Sequence, residues 1–237
     1  MNKLKVLCTI CARGGSKGVK NKNIKSLHGK PLISYTIQQA KACGLFEHIV
    51  ISTDSDEISK ISEEYGADAF FKRGAELSSD TAGKLDVIRD AFIKSEEHYG
   101  EQYDYLVDLD ATAPLRDIED INNSFKQFLD NNNDNLITAM PSRRSPYFNL
   151  VEVNKDGNVH LSKSLRNTVV RRQDSPKCYD MNASIYIWKR EAILNEKVLF
   201  LEKTGLYVMP EERSIDIDHE LDYKFVEFLM DAKNAKQ

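Results

Sequence analysis

The chain has 237 residues, of which 41% are hydrophobic and 30% charged, and its formal net charge is −4 at pH 7. This size supports one large domain with a full core, and the acidic balance argues against non-specific binding of nucleic acid. No apolar stretch approaches the ~20 residues of a membrane helix, and the first residues lead into a strand-like segment instead of a secretory signal. We therefore expect a soluble, cytoplasmic protein with neither nucleic acid nor a membrane as its partner.

Charge is distributed unevenly along the chain. Residues 1–46 contain no aspartate or glutamate but carry nine lysines and arginines. One end of the molecule is therefore expected to face anions. The C-x-x-C of Cys8 and Cys11 also falls here, on a predicted strand where residues three apart point to opposite faces. We interpret both cysteines as core residues.

Segments of strand-like and helical periodicity alternate along the chain, as an α/β protein requires. Strands are predicted at residues 5–11, 48–53, 103–109 and 136–139, with helices at 31–44, 55–66, 84–97 and 117–131. Residues 141–179 change to turns and to short strand-like pieces at 149–153 and 159–161. Strands at 183–188 and 206–209 and a helix at 219–233 complete the pattern.

Single helices between successive strands predict right-handed crossovers and a Rossmann-like, mainly parallel sheet flanked by helices. We interpret residues 1–237 as a single α/β domain, with a small lobe inserted from about residue 141 to residue 179. Sheets of this kind bind ligands beyond the carboxyl ends of their strands. Residues that follow the predicted strands are therefore the candidates for a site.

A glycine-rich basic loop follows the first predicted strand. It reads Ala12-Arg13-Gly14-Gly15-Ser16-Lys17-Gly18, with Lys20, Lys22 and Asn23 after it. Glycines let backbone N–H groups approach an anion closely, and arginine and lysine neutralise phosphate charge. Neither G-x-x-x-x-G-K-[ST] nor G-x-G-x-x-G occurs, so kinase and dehydrogenase classes lose support. The loop predicts phosphate binding, the alternative being a glycine turn with solvated lysines.

Two pairs of aspartates are candidates for a metal site. Asp216 and Asp218 share one face of an extended segment, and paired carboxylates suit Mg²⁺, which completes its shell with water and phosphates. Capping of the final helix is an alternative for Asp218. Asp108 and Asp110 end the third predicted strand and resemble the D-x-D of nucleotide-sugar glycosyltransferases, which keeps that class open.

Four segments, in order, resemble the CMP-sialic acid synthetase (acylneuraminate cytidylyltransferase) family, nearest to bacterial CMP-legionaminic acid synthetases. They are the loop with Lys22 and Asn23, residues 73–81 (similar to R-P-x-x-L-x-x-D-T), residues 112–116 (the end of Q-P-T-S-P-L-R) and residues 214–222 (S-I-D-I-D-x-x-x-D). The resemblance implies a nucleotidyltransferase that condenses CTP with a nine-carbon acidic sugar, giving CMP-sugar and pyrophosphate. It also implies Mg²⁺ as cofactor and a homodimer formed through the inserted lobe.

The resemblance implies roles for individual residues. The catalytic residues would be Arg13, Lys22, Asp216 and Asp218, of which the two aspartates would hold the metal. The nucleotide would be bound by Ala12, Arg13, Gly15, Ser16, Lys17, Lys22, Asn23, Arg73, Asp80 and Thr81. The sugar would meet Asp110, Thr112, Phe148, Arg172, Asn182, Tyr186 and Phe200. Among these, Arg172 would pair with the sugar carboxylate.

Two departures from the family pattern bear on the sugar. Asp110 stands where the family usually has glutamine, which removes an amide donor, and Lys84 stands where a small residue is common. Phe148 and Phe200 would make the pocket fairly apolar, which suits a deoxygenated, N-acylated sugar. N,N'-diacetyllegionaminic acid is therefore favoured. N-acetylneuraminic and pseudaminic acids stay open, as do a glycosyltransferase and a non-catalytic nucleotide-binding module.

Overall fold

The computed structural model describes residues 3–16, 18–165 and 171–234. Its strands are β1 (Val6–Cys11), β2 (Ser26–Leu27), β3 (Lys30–Pro31), β4 (His48–Ser52), β5 (Tyr105–Leu109), β6 (Asn135–Pro141), β7 (Val151–Val153), β8 (Val159–Leu161), β9 (Tyr179–Lys189) and β10 (Thr204–Val208). Its helices are α1 (Leu32–Cys43), α2 (Asp56–Glu64), α3 (Lys84–Tyr99), α4 (Ile118–Asp130), α5 (Arg190–Asn195) and α6 (Glu220–Asn234). The central sheet has six strands in the order β10-β6-β9-β5-β1-β4.

The central sheet is parallel except at β9, so the predicted mainly parallel α/β fold is confirmed. Strand β1 pairs in parallel with β4 and β5, and β10 pairs in parallel with β6. Strand β9 runs antiparallel to both β5 and β6, because the chain enters it from the lobe beyond the end of β6. The carboxyl ends of the parallel strands therefore meet at one edge of the sheet.

Apolar helix faces cover both sides of the sheet. One core cluster joins Val6, Cys8 and Ile10 of β1 to α1, α2 and α4. The other joins Leu7, on the opposite face of β1, to α3 and α5. Because side chains alternate across a strand, β1 contributes to both layers. Cys8 is a core residue, as predicted.

A third apolar cluster fixes α6 against the segment that follows β1. Tyr223 and Val226 of α6 pack with Val19 and Leu27 and with Ile217, which precedes the helix. The last helix therefore holds the chain around Ile217 close to the loop after β1. This contact brings the segment after β1 and the segment before α6 together at the carboxyl edge of the sheet.

The segment between β6 and β9 forms a lobe at that same edge. Strands β7 and β8 make an antiparallel hairpin with exposed Val151, Val153, Val159 and Leu161. The first residues of β9 extend along the end of β6 and connect the lobe to the sheet, where Tyr179 pairs with Pro141.

None of the helices in the described part of the chain combines the length and the apolar composition that a bilayer span requires.

Candidate active site

The loop after β1 is held by two side chains that flank it in space. Asp54, which follows β4, accepts a hydrogen bond from the backbone N–H of Gly14 at 2.9 Å. Asn23 donates from Nδ2 to the carbonyl oxygen of Arg13 at 3.0 Å. The loop is therefore closed on itself and tied to the neighbouring strand end. Lys17, predicted to bind the nucleotide, lies outside the described residues.

This loop borders a cavity of about 390 Å³ at the carboxyl edge of the sheet. The predicted residues that line it are Arg13, Ser16, Lys22 and Asn23 on the loop, with Asp110, Thr112, Asp216 and Asp218 from elsewhere in the chain. The fold therefore brings the basic loop and three carboxylates into one space. Of the other two predicted loop residues, Ala12 is buried, and Gly15 has open space around its Cα.

The segment that carries Asp216 and Asp218 is anchored by the residue between them. Ile217 is fully buried, and its N–H donates to the carbonyl oxygen of Thr112 at 3.0 Å. The carboxylate of Asp222 accepts from the backbone N–H of Asp218 at 3.0 Å, while the Asp218 carboxylate pairs with Lys22 at 2.9 Å. The capping alternative for Asp218 is therefore wrong, since its side chain faces the lysine of the loop.

Like charges converge on Asp216. Burial, together with the negative charges of Asp218 and Asp110, raises its pKa to about 6. A cation would relieve this repulsion, and hard carboxylate oxygens suit Mg²⁺. In residues 3–16, 18–165 and 171–234, three or more His, Cys, Asp or Glu side chains nowhere form a metal-binding group. A cation bound here would thus take at most these few carboxylates and complete its shell with water and phosphates.

Gly18 allows the loop to touch the aspartate segment. A Cβ atom at this position would overlap the backbone carbonyl oxygen of Asp218. Only glycine permits so close an approach of the two backbones. The short distance between the Lys22 ammonium group and the Asp218 carboxylate therefore depends on glycine at position 18.

The predicted nucleoside segment lies on the other side of the loop. Arg73 is buried, with its guanidinium 4.0 Å from the Asp54 carboxylate. Asp80 accepts from the Arg13 guanidinium at 2.8 Å, and Thr81 is exposed. The ion pair of Arg13 and Asp80 joins this segment to the loop, although none of its three predicted residues lines the cavity itself.

The ammonium group of Lys84 contacts both carboxylates of the second aspartate pair, Asp108 and Asp110. Its Nζ atom lies 2.7 Å from Asp110 and 3.4 Å from Asp108, and 4.6 Å from the centre of the Tyr186 ring. Asp108 is fully buried and accepts a hydrogen bond from the Thr9 hydroxyl at 2.8 Å. Since the Lys84 ammonium group already occupies the position between the two carboxylates, the D-x-D metal site of a glycosyltransferase does not fit here.

Asn182 is not among the residues that line this cavity, and its contact with the sugar stays a prediction. Its side chain is buried and donates to the Ser214 hydroxyl at 2.9 Å. It also accepts from the Thr138 hydroxyl at 2.7 Å. The amide therefore links β9 to β6 and to the chain that leads towards Asp216.

Phe200 also lies away from this cavity, and its contact with the sugar stays a prediction. It follows α5 at the amino ends of the parallel strands, where the side chain of Asn135 donates to the carbonyl oxygen of Leu199 at 2.6 Å. The predicted apolar pocket loses this residue, and the cavity lining is polar. Phe148 and Arg172 belong to the lobe, where Arg172 donates to the carbonyl oxygen of Ser142 and lines a separate cavity of about 570 Å³.

Some residues at the site were not predicted. Cys11, interpreted above as a core residue, lines the cavity together with Gly18 and His219. Strand alternation was the available signal, because it places Cys11 on the face opposite Cys8. Burial raises the pKa of the Cys11 thiol well above its ordinary value. Asp54 carried no motif, and only the folded loop reveals its contact with Gly14.

A basic glycine loop that faces paired carboxylates, at the carboxyl edge of a mainly parallel sheet, defines the class as a nucleotidyltransferase. A family model described as "Cytidylyltransferase" matches residues 7–236. The chain belongs to this family. The family membership excludes the glycosyltransferase and the non-catalytic module as descriptions of the chain.

Relatives and solved structures agree with this membership. "Post-translational flagellin modification protein B" of Campylobacter coli is 58% identical over 231 residues, which cover 98% of this chain and 97% of that protein. "CMP-N,N'-diacetyllegionaminic acid synthase" of Campylobacter jejuni subsp. jejuni serotype O:2 is 54% identical over 229 residues, which cover 97% and 96%. The structure of CMP:2-keto-3-deoxy-manno-octonic acid synthetase complexed with CTP has a TM-score of 0.70 at 16% identity, covering 97% of this chain and 99% of that one. At that identity the structural likeness shows the fold alone.

Proposed function

We propose that the protein condenses CTP with a nine-carbon acidic sugar, N,N'-diacetyllegionaminic acid being favoured, to give the CMP-sugar and pyrophosphate. The observation that carries the proposal is the single cavity in which Arg13 and Lys22 face Asp216 and Asp218. Cationic side chains bind a triphosphate, and hard carboxylates bind its counter-ion. The relative whose name specifies this sugar is 54% identical over nearly its whole length.

The loop supplies the triphosphate site of the proposed reaction. Arg13, Ser16, Lys22 and Asn23 line the cavity, and Asp54 holds the loop backbone in place through the N–H of Gly14. Arginine and lysine side chains pair with phosphate oxygens through charge-assisted hydrogen bonds. Arg13, already joined to Asp80, would orient the phosphates relative to the nucleoside segment.

Asp216 and Asp218 would hold Mg²⁺ in this proposal. The ion supplies neutralisation of the triphosphate charge and lowers the pKa of a hydroxyl bound to it. The fit rests on the position of both carboxylates in one cavity, where burial and the neighbouring carboxylates raise the pKa of Asp216. The two side chains sit on either side of the buried Ile217, whose hydrogen bond to Thr112 holds the segment in place.

The anomeric hydroxyl of the sugar attacks the α-phosphorus of CTP in line with the departing pyrophosphate. The O–P bond to the sugar forms as the α–β phosphoanhydride bond breaks, and the hydroxyl proton passes to solvent. Reactions of this kind need positioning and charge neutralisation more than covalent help. Arg13 and Lys22 would stabilise the charge that collects on the pyrophosphate.

N-acetylneuraminic acid and pseudaminic acid are the alternative sugars. Asp110 lines the cavity and offers acceptors but no donor when ionised, which suits a sugar rich in N–H groups. This favours a sugar with two acylamino groups over one with a single acylamino group. The cavity lining is polar, and Phe200 lies at the opposite edge of the sheet. The preference for a sugar with two acylamino groups therefore rests on hydrogen bonding and not on an apolar pocket.

The proposal includes a cytoplasmic homodimer joined through the lobe. Exposed Val151, Val153, Val159 and Leu161 form an apolar surface on the hairpin of β7 and β8. Contiguous exposed apolar side chains mark interaction sites. CTP is a cytoplasmic substrate, so cell fractionation that recovers the protein with membranes would count against this compartment.

A pyrophosphate-release screen tests the proposed function. ATP, CTP, GTP and UTP are each combined with N,N'-diacetyllegionaminic, N-acetylneuraminic and pseudaminic acids, with and without Mg²⁺. We expect release with CTP and Mg²⁺ and the highest kcat/KM for the legionaminic acid. A preference for N-acetylneuraminic acid overturns the sugar assignment, and release with no CTP combination overturns the proposed reaction.

A further inference from the structure

The carboxylate of Asp110 keeps one acceptor position beyond its contacts within the protein. Its Oδ1 atom accepts from the N–H of Thr112 at 3.0 Å and from the Thr112 hydroxyl at 2.7 Å. Its Oδ2 atom accepts from Lys84 at 2.7 Å. A carboxylate offers about four lone-pair positions, so one remains on Oδ2. Because Asp110 lines the cavity, that position is within reach of a bound substrate.

The ammonium group of Lys84, in contrast, contacts other groups of the protein. It contacts Asp110 and Asp108 and lies over the ring of Tyr186. Of these contacts, the one with Asp110 is a hydrogen bond, and Lys84 is not among the residues that line the cavity. Lys84 therefore acts on a ligand only through Asp110 and is a positioning residue.

The pair keeps Asp110 ionised. Burial alone would raise the pKa of Asp110, but the positive charge of Lys84 and the hydrogen bonds from Lys84 and Thr112 hold it well below its ordinary value. The group facing the cavity is therefore a hydrogen-bond acceptor at neutral pH. A glutamine at this position would offer donors as well.

Stability does not account for such a pair. Both side chains are partly exposed, and ion pairs with access to solvent contribute little to stability. Asp110 lines the cavity, and Lys84 also contacts the buried carboxylate of Asp108. A joint role in ligand recognition explains why a charged pair is kept here.

We propose that Lys84 and Asp110 form one specificity-determining pair, in which Lys84 fixes Asp110 as the acceptor for an acylamino N–H of the sugar. This inference rests on the proposed function. Phosphates bind the cationic side of the cavity at Arg13 and Lys22, so the acidic side at Asp110 is left for the sugar. An amide N–H donates only and complements a carboxylate, whereas the carboxylate of the sugar is repelled and points away from Asp110.

Steady-state kinetics with CTP and N,N'-diacetyllegionaminic acid test the pair through Lys84→Met, Asp110→Asn and the double variant. We expect Asp110→Asn to raise the KM for the sugar by about tenfold or more, because a hydrogen bond to a charged group is lost. The KM for CTP should stay unchanged. Lys84→Met should also raise the KM for the sugar. The double variant should have a KM no higher than that of the more impaired single variant, since both residues act through one contact.

Two further variants separate recognition from folding. Lys84→Arg keeps the charge and should lie closer to the wild type than Lys84→Met. Lys94→Met removes another lysine of α3, which pairs with Asp90 at 2.8 Å on the helix surface, and should leave both KM values unchanged. Thermal unfolding of each variant checks that it is folded.

Additive losses in the double variant, a rise in the KM for CTP in place of the sugar, or an unchanged Asp110→Asn enzyme would overturn the inference while the wild type stays active. If Lys84→Met does not fold, the comparison of Asp110→Asn with Lys84→Arg decides in the same way. A wild type that is inactive with every sugar overturns the proposed function and this inference together.

Discussion

The Nζ atom of Lys22 lies 2.9 Å from Oδ1 of Asp218, although 196 positions separate the two residues in the chain. The Lys22 side chain is only 14% exposed, whereas that of Asp218 is 63% exposed. The lysine also donates to the backbone carbonyl of Ile217. The loop after β1 and the segment before α6 therefore form one charged unit, with an immobilised ammonium group and an accessible carboxylate.

Replacing Lys22 by methionine tests the ammonium group of this unit. We expect kcat/KM for CTP to fall by about 100-fold or more, because a positioned charge at the phosphates is removed. The measurement is pyrophosphate release at varied CTP concentration. Lys20→Met, at an exposed lysine of the same loop, is the matched control and should stay near the wild type. Equal losses in the two variants would contradict the role given to Lys22.

Replacing Gly18 by alanine tests the close approach of the loop to the aspartate segment. The added Cβ would overlap the carbonyl oxygen of Asp218, which we expect to cost about 1–3 kcal/mol of unfolding free energy. For a protein of this size the Tm should fall by roughly 2–10 °C, together with activity. Gly74→Ala, where nothing lies near the new Cβ, should keep its Tm. A Gly18→Ala protein with the Tm and activity of the wild type would disprove the contact.

Replacing Asp216 by asparagine should change how stability depends on pH in the presence of a chelator. The pKa of Asp216 is raised in the folded protein from 3.8 to about 6, so the folded state binds the proton more tightly than the unfolded state. Its contribution to stability is present below pH 3.8 and is lost as the pH rises through about 6. The Tm of Asp216→Asn minus that of the wild type should therefore grow across this window and level off above it. If the difference in Tm between Asp216→Asn and the wild type does not change with pH, the raised pKa of Asp216 is ruled out.

The exposed apolar hairpin of the lobe predicts a homodimer. Light scattering should give a mass of about 54 kDa, twice the chain mass of 27.0 kDa. Val153 and Val159 are 66% and 65% exposed, and changing both to glutamate should yield the monomer because charges at the core of an interface are strongly unfavourable. Leu221→Glu, on the 77% exposed Leu221 of α6, should leave the dimer intact. A monomeric wild type would contradict this part of the account.

Most of the fold could be predicted from periodicity. The predicted bounds of α1, α2, α3, α4 and α6 agree with the structure to within two residues, because each helix has a regular apolar stripe and clear end signals. The direction of β9 could not be predicted, since it depends on where the lobe returns the chain to the sheet. Helix α5 was missed because its six residues give too short a pattern to distinguish from a turn.

The site divides in a similar way. Arg13, Lys22, Asp216 and Asp218 carry local motifs, and the structure brings them to one cavity. Asn182 and Phe200 were predicted from the family resemblance alone. The hydrogen bonds of Asn182 direct its side chain to Ser214 and Thr138, and Phe200 follows Leu199, whose carbonyl oxygen accepts from Asn135 at the start of β6. The contact of Lys84 with Asp110 joins residues 26 positions apart, from α3 and the end of β5. No local pattern encodes such a contact, so only the tertiary structure reveals it.

The most direct test of the central claim is the formation of CMP-sugar from CTP and N,N'-diacetyllegionaminic acid by the wild type, by Asp218→Asn and by Glu220→Gln. The account predicts product by mass spectrometry from the wild type and from Glu220→Gln, which alters a neighbouring carboxylate paired with Lys25. It predicts a loss of kcat of about 100-fold or more in Asp218→Asn, with an unchanged Tm. An Asp218→Asn enzyme with the kcat of the wild type, or a wild type that forms no CMP-sugar, would contradict it.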